Sequence, residues 1–244
     1  RQKVGTVILS AVFGNLIPAF LFAGAMTKID GSLGGILNSL TPICVVVIGI
    51  LFFKDKIKAQ KITGVIIGFI GLVLLTISPV LIGEKNISFD NMNYLFLILG
   101  ATLLYGLNVN MVSHYLKGLN PIHVATVSLA FMTIPAGIIL WQQDVTQLDF
   151  HKIEVRYAVM ASAGLGVLGS AIATALFYIL VQKAGGLFAS LVTYGIPFIA
   201  LFWGFLDNEK ITVIEITCLL IILLGVYLAN RSEKKKATPA DVAS

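Results

Sequence analysis

Uncharged polar side chains are set into long apolar stretches of this chain at helical spacing. Ser170, Thr174, Tyr178 and Gln182 step by four residues and so share one helix face. Tyr105 and Asn108 share a face of another stretch, and Asn110 with His114 occupies a second face of it. Asn38 stands one turn before Pro42, Thr193 and Tyr194 stand just before Pro197, and Asn15 lies in the first stretch. In apolar surroundings such groups either join helices or line a polar path. Hydroxyl, amide and phenol groups of this kind bind neutral or zwitterionic solutes by hydrogen bonding. We expect Asn15, Asn38, Tyr105, Asn108, Ser170, Thr174, Tyr178, Thr193 and Tyr194 to line one central substrate-binding cavity.

Other chemistries find no matching pattern. An enzyme at membrane depth needs paired carboxylates, a serine with a neighbouring histidine, or a metal set. None occurs, so no catalytic residue, metal ligand or cofactor is expected. His123 and His151 fall in loops or at a helix end without ligand spacing. His114 reads as a hydrogen-bonding side chain near a helix end rather than as a proton carrier. Cys44 and Cys218 lie in apolar stretches as small packing residues. The segment GLGVLG, residues 164–169, fits G-x-G-x-x-G but lies inside an apolar helix with no acid following at the required distance. Close helix packing is the better reading, as for Gly64 and Gly68. No nucleotide-binding Gly-Lys-Ser/Thr loop is present, and no stretch holds a carboxylate near its centre. Glu215 lies within a turn of the end of the last stretch and is expected to reach the interface.

The elements that position these groups follow from composition. Of 244 residues, 57% are hydrophobic and 12% charged, with a mean hydropathy of +0.94. Soluble domains carry about 25% charged residues, so too little polar surface is available for a water-soluble particle. Eight stretches, near 4–27, 32–53, 61–82, 92–116, 122–142, 157–182, 187–207 and 211–230, approach the ~20 apolar residues that cross a bilayer. Backbone groups in lipid must bond within their own segment, so the stretches are helices. The fold class is an all-α integral membrane protein, with the lipid bilayer as a partner.

The net charge of +5 reports orientation rather than nucleic-acid binding. If Arg1 is cytoplasmic, twelve of the 17 lysines and arginines fall on that side. The asymmetry assigns both ends of the chain to the cytoplasm, and the plasma (inner) membrane is the expected location. Residues 231–244 form a basic polar tail on the same side.

The chain also repeats itself. At an offset of 155, Gly14 meets Gly169, Lys28 meets Lys183, Pro42 meets Pro197 and Gly49 meets Gly204. After a slip of one residue, Asp55-Lys56-Ile57 lies on Glu209-Lys210-Ile211, and Gly71 on Gly225. Spans one to three match spans six to eight. That odd displacement of five inverts the second copy in the membrane, an architecture of secondary transporters. Spans four and five lack counterparts in the first copy, so two preceding helices are expected, giving ten with eight visible. Pro42 and Pro197 are expected to remove a backbone donor, kink their helices and serve gating, leaving carbonyls open to a solute.

The two copies read LNSLTPICVVVIGILFFKDKIKAQKITGVIIGFIGLVLL and LVTYGIPFIALFWGFLDNEKITVIEITCLLIILLGVYLAN. They resemble the EamA-type members of the drug/metabolite transporter superfamily. The family half-repeat has a Pro-containing apolar run, a turn with Gly-Glu-Arg-Leu and a Gly-rich helix. Asp55 and Glu209 stand at its acidic turn position, Lys56 and Lys210 replace its arginine, and the glycine before each acid is absent. The resemblance implies two inverted five-helix halves: residues 1–82 as the last three helices of one, and 92–230 as the complete other. It also implies export of a small metabolite by alternating access at a midplane cavity. Together with the uncharged cavity this points to a small-molecule substrate such as an amino acid or a drug-like amine. A non-transporting membrane sensor or assembly protein is the alternative, and pairing of two copies into a homodimer stays open.

Overall fold

Lipid offers backbone groups no partners, and the apolar stretches of this chain satisfy theirs as helices. The computed structural model describes residues 3–29, 31–81, 92–142, 149–206 and 212–231, and among these residues all regular structure is helical. Helix α1 spans Val4–Met26, and α2 runs as Gly31–Asn38 and Thr41–Phe53. They are followed by α3 (Ala59–Leu81), α4 (Leu95–Tyr115), α5 (Pro121–Gln142) and α6 (Ile153–Ala184). Residues 186–206 form α7, and Val213–Asn230 form α8. Seven of the eight are long and apolar enough to cross a membrane. The exception is α7, expected as one continuous span over 187–207, whose apolar helix Gly186–Ile199 is shorter and contains a 3₁₀ stretch, Leu191–Gly195.

That stretch has a counterpart in α2, which breaks into a turn at Ser39 and Leu40. In both helices the proline follows the break. Pro42 and Pro197 are the second residues of the helices Thr41–Phe53 and Ile196–Leu206. The expectation that each proline kinks a helix from within is therefore corrected. In a first turn the missing N–H would have no helical partner in any case, so proline is tolerated there. The freed carbonyls are also occupied rather than open. Ser39 Oγ donates to the Ile36 carbonyl and Thr41 Oγ1 to the Asn38 carbonyl at 2.6 Å. In α7 the Thr193 carbonyl, four residues before Pro197, accepts from the Ile196 N–H, while Ser190 Oγ donates to Leu187 O and Thr193 Oγ1 to Ser190 O.

Helices α1 and α6 each contain a π-helical segment, Val12–Leu16 and Gly166–Ile172. The widened turn in α1 precedes Pro18, whose ring clashes with the carbonyl four residues back in a regular helix. Adding 155 to 12–16 falls within the second segment, where Ala173 stands in place of proline. The glycines of GLGVLG show no close approach of another helix: a Cβ on Gly164 or Gly166 would meet nothing within 4 Å, and one on Gly169 only Leu165 of the same helix. The packing expected for them is absent among the described residues; Gly166 and Gly169 belong to the π segment and Gly164 to the helical turn before it.

Close packing does occur between α3 and α8, which run antiparallel. A Cβ on Gly64 would lie 2.3 Å from the Ala229 nitrogen, one on Gly71 2.9 Å from the Ile222 nitrogen, and one on Gly225 2.3 Å from the Gly68 nitrogen. Small residues let backbones meet where water supplies no driving force. The contacts Gly71–Ile222 and Gly225–Gly68 exchange when 154 is added to the first residue and subtracted from the second. Tyr194 completes this core with Val46, Val65, Leu72, Leu191, Ile222 and Ala229. A second core joins α1, α2, α4, α5, α6 and α7 around Tyr178, Val109 and Val112.

Helix α2 ends at Lys54, which adopts the left-handed conformation at φ 58°. The Asp55 N–H then reaches back to the Gly49 carbonyl at 2.9 Å. Glycine is the usual residue at such a cap, and a side chain there costs about 1–2 kcal/mol. Lys54 occupies the position of the glycine missing from the turn. Helix α8 starts with a capping box: Glu215 N donates to Thr212 Oγ1, and Thr212 N donates to Glu215 Oε2 at 2.7 Å. Glu209 and Lys210, the second copy of the turn, lie outside the described residues.

Candidate functional site

A cavity of about 710 Å³ opens between α1, α2, α4, α6 and α7. Seven of the nine expected residues line it: Asn15, Asn38, Tyr105, Asn108, Thr174, Tyr178 and Thr193. The breaks described above place Asn38 and Thr193 on facing helices, just ahead of Pro42 and Pro197. The π segment of α1 places Asn15 and Gly14 on its wall, and the helical face of α6 supplies Thr174 and Tyr178 one turn apart. Phe22 and Tyr105 meet across the wall with ring centroids 6.0 Å apart. No charged side chain is among the described lining residues.

Two expected residues lie elsewhere. Ser170 sits in the exposed π segment of α6, outside the cavity lining. Tyr194 is 0% exposed and points away into the α3–α7–α8 core. Its hydroxyl donates to the Val65 carbonyl at 3.0 Å, and its ring packs where a Cβ on Gly68 would be. A four-residue step and proximity to a proline place a side chain on a face, but they do not say which neighbour that face meets. The sequence reading missed Gly14, Thr41 and Ser190, which also line the cavity. The repeat offset gave no signal for Gly14, because its partner Gly169 does not line the cavity.

Hydrogen bonding in the cavity wall is uneven. Ser10 Oγ donates to Asn108 Oδ1 at 2.5 Å, fixing the amide of α4 against α1. Gly14 makes room for that amide: a Cβ there would lie 2.1 Å from Asn108 Nδ2. Asn15 Nδ2 and the Tyr178 hydroxyl are buried and have no hydrogen-bond partner among the described residues. A buried polar atom left unpaired costs about 1–3 kcal/mol, and both belong to residues that line the cavity.

A smaller cavity of about 350 Å³ adjoins the first. It shares Asn38 and Thr193 with the first and adds Ser39, Thr76, Pro197 and Glu215. The two helix breaks therefore form the partition between the cavities. Glu215 was expected to extend to the interface; it lines this second cavity while its carboxylate caps α8. Among the described residues no group of three or more His, Cys, Asp and Glu is arranged to hold a metal.

The turn after α2 has a partner that spacing did not reveal. Asp55 Oδ1 lies 2.9 Å from Nε2 of His114, at the end of α4. His114 Nδ1 lies 2.9 Å from the Asn110 carbonyl oxygen. Asn110 Nδ2 in turn donates to the carbonyls of Val45 (3.0 Å) and Gly106 (2.9 Å), stitching α4 to α2.

Comparison with known proteins gives the same class of fold. The sequence matches the EamA-like transporter family over residues 1–77 and 92–231. It is 24% identical over 230 residues to an uncharacterized transporter of Archaeoglobus fulgidus, spanning 92% of this chain and 77% of that protein. A crystal structure superposes with a TM-score of 0.70 at 14% identity, over 92% of this chain and 75% of the other. That likeness carries the fold alone.

Proposed function

The chain belongs to the EamA-like transporter family, and on that premise we propose that it is a secondary exporter of a small neutral or zwitterionic metabolite. A zwitterionic amino acid fits this description, and a compact drug-like amine fits it in its uncharged form. The observation that carries the reading is the chemistry of the larger cavity, whose lining is uncharged, with two buried groups left unpaired at Asn15 and Tyr178. An amide N–H and a phenol hydroxyl reward a solute with carbonyl or carboxylate oxygens. A phosphorylated sugar calls for lysine or arginine at the site, and the described lining has neither.

Alternating access is the mechanism we favour. Matching π segments in α1 and α6, matching breaks in α2 and α7, and contacts between α3 and α8 that exchange under the repeat offset support two inverted halves. Discontinuous helices at the meeting of such halves are where substrates bind. The partition between the two cavities is made of those breaks, so a small rearrangement at Asn38 and Thr193 would pass the solute from one cavity to the other. We assign both ends of the chain to the cytoplasmic side from the lysine and arginine asymmetry, and take outward transport across the plasma membrane from the family resemblance.

Counterflow in proteoliposomes holding the full-length protein tests this reading. Labelled neutral amino acids or monoamines are expected to exchange, and unlabelled phosphorylated sugars to leave the exchange unaffected. Exchange of phosphorylated sugars in place of these solutes would refute the assignment. Flux of no solute would shift weight to a sensor or assembly role.

A further inference from the structure

We propose that the smaller cavity is a subsite for an ammonium group, with the Glu215 carboxylate as its counter-ion. This deepens the transport reading, and rests on it for the solute that arrives there. Donors and acceptors around the cavity are out of balance. Three hydroxyls are among its described lining residues, those of Ser39, Thr76 and Thr193. A hydroxyl has one hydrogen to give, and each of these gives it to a carbonyl of its own helix. Ser39 donates to Ile36 at 2.5 Å, Thr76 to Leu72 at 2.8 Å and Thr193 to Ser190 at 2.9 Å. What they still offer a ligand is lone pairs. Glu215 adds a carboxylate, which accepts only when ionised. Asn38 is the one side chain of the described lining with N–H groups. Such a lining rewards a ligand that donates and is positively charged. A primary ammonium has three N–H groups and no lone pair, and its bonds to a carboxylate are of the strong, charge-assisted kind.

The cap of α8 holds the carboxylate in place. Glu215 Oε2 accepts the Thr212 N–H at 2.7 Å and the Thr212 hydroxyl at 3.0 Å. Among the described residues no donor reaches Oε1, which leaves that oxygen for a ligand. Glu215 is the one charged side chain among the described lining residues of either cavity. The described cations at this end of the bundle, Lys28, Lys152 and Arg156, line neither cavity, and Lys28 has an interaction of its own. The rest of the wall is carbon, from Leu72, Leu75, Ile196, Pro197 and Leu201. A bare metal cation takes oxygens on all sides; an apolar wall beside one carboxylate suits an organic cation with an alkyl portion.

Asn38 and Thr193 belong to both cavities. A solute whose ammonium rests against Glu215 therefore lies one helix break away from the uncharged lining of the larger cavity. The two cavities together favour zwitterions over uncharged polar solutes of the same size, and they extend the amines that fit to their protonated forms.

The test is the reaction of a single cysteine, introduced as Thr76→Cys in full-length protein carrying Cys44→Ala and Cys218→Ala, with an uncharged methanethiosulfonate. Butylammonium chloride is expected to slow the reaction until the site is saturated. Butanol, of the same chain length, and tetramethylammonium chloride, a cation without N–H groups, are expected to need about tenfold higher concentration or more. In Glu215→Gln the butylammonium concentration that gives half the effect is expected to rise by about tenfold or more, the loss of a charge-assisted hydrogen bond. Glutamine also serves at the third position of a capping box, so this variant keeps the start of α8. The subsite is overturned if butylammonium does not protect, if butanol or sodium chloride protects equally well, or if protection survives Glu215→Gln. Labelling reads occupancy without flux. Intact protection in a protein that exchanges no solute would therefore refute the transport reading and leave the subsite standing.

Discussion

Replacing Gly225 by valine is expected to produce the largest loss of stability of any single change in the described part of the chain. The first added carbon would sit 2.3 Å from the Gly68 nitrogen, 2.6 Å from its Cα and 2.7 Å from the Gly64 carbonyl oxygen. All three are backbone atoms, so no side chain can rotate away, and α8 must separate from α3. Overpacking a core costs about 1–3 kcal/mol where side chains can adjust. Here backbone faces backbone, and the cost is expected at or above the top of that range. The gain from removing a helical glycine, about 1 kcal/mol for alanine and less for β-branched valine, offsets only part. Gly137→Val is the control, because a Cβ at Gly137 meets nothing within 4 Å. Thermal unfolding in detergent should show a clear drop in Tm for Gly225→Val and little change for Gly137→Val. Equal Tm values would contradict the α3–α8 packing.

The second large effect is expected at Gly14, and on transport rather than stability. A methyl group there would lie 2.1 Å from Asn108 Nδ2 and would drive the amide off Ser10. Breaking a buried hydrogen bond and leaving its partner unpaired costs about 1–3 kcal/mol. Gly14→Ala should therefore lower counterflow, by about tenfold for each 1.4 kcal/mol of solute affinity that the displaced amide loses. Adding Asn108→Ser returns the space and should restore part of the flux, which an unfolded chain would not allow. Wild-type flux in Gly14→Ala would mean that the α1–α4 wall does not touch the path.

Much of this was legible in the sequence, and the failures have physical causes. The helices followed from hydropathy because lipid leaves the backbone one way to bond itself. The repeat offset linked Pro42 to Pro197 and Gly71 to Gly225, and each pair occupies corresponding places in the fold. The cavity was legible for Tyr105, Asn108, Thr174 and Tyr178 because a helix face is a matter of spacing. Tyr194 was misread because the 3₁₀ turn of α7 rotates it away from the face that Thr193 occupies. Ser170 was misread because the polar stripe of α6 runs on past the cavity into an exposed π segment. The Asp55–His114 contact joins residues 59 apart in sequence through a left-handed lysine cap, and no local pattern encodes it.

The central claim is that a neutral solute occupies the cavity between α1, α2, α4, α6 and α7. The most direct measurement is the reactivity of a single cysteine placed at Thr174, in full-length protein carrying Cys44→Ala and Cys218→Ala. A hydrophilic maleimide should label it, and a solute that exchanges in counterflow should slow that labelling in proportion to its occupancy of the site. Labelling that proceeds at one rate with and without a saturating, transported solute would place the path elsewhere.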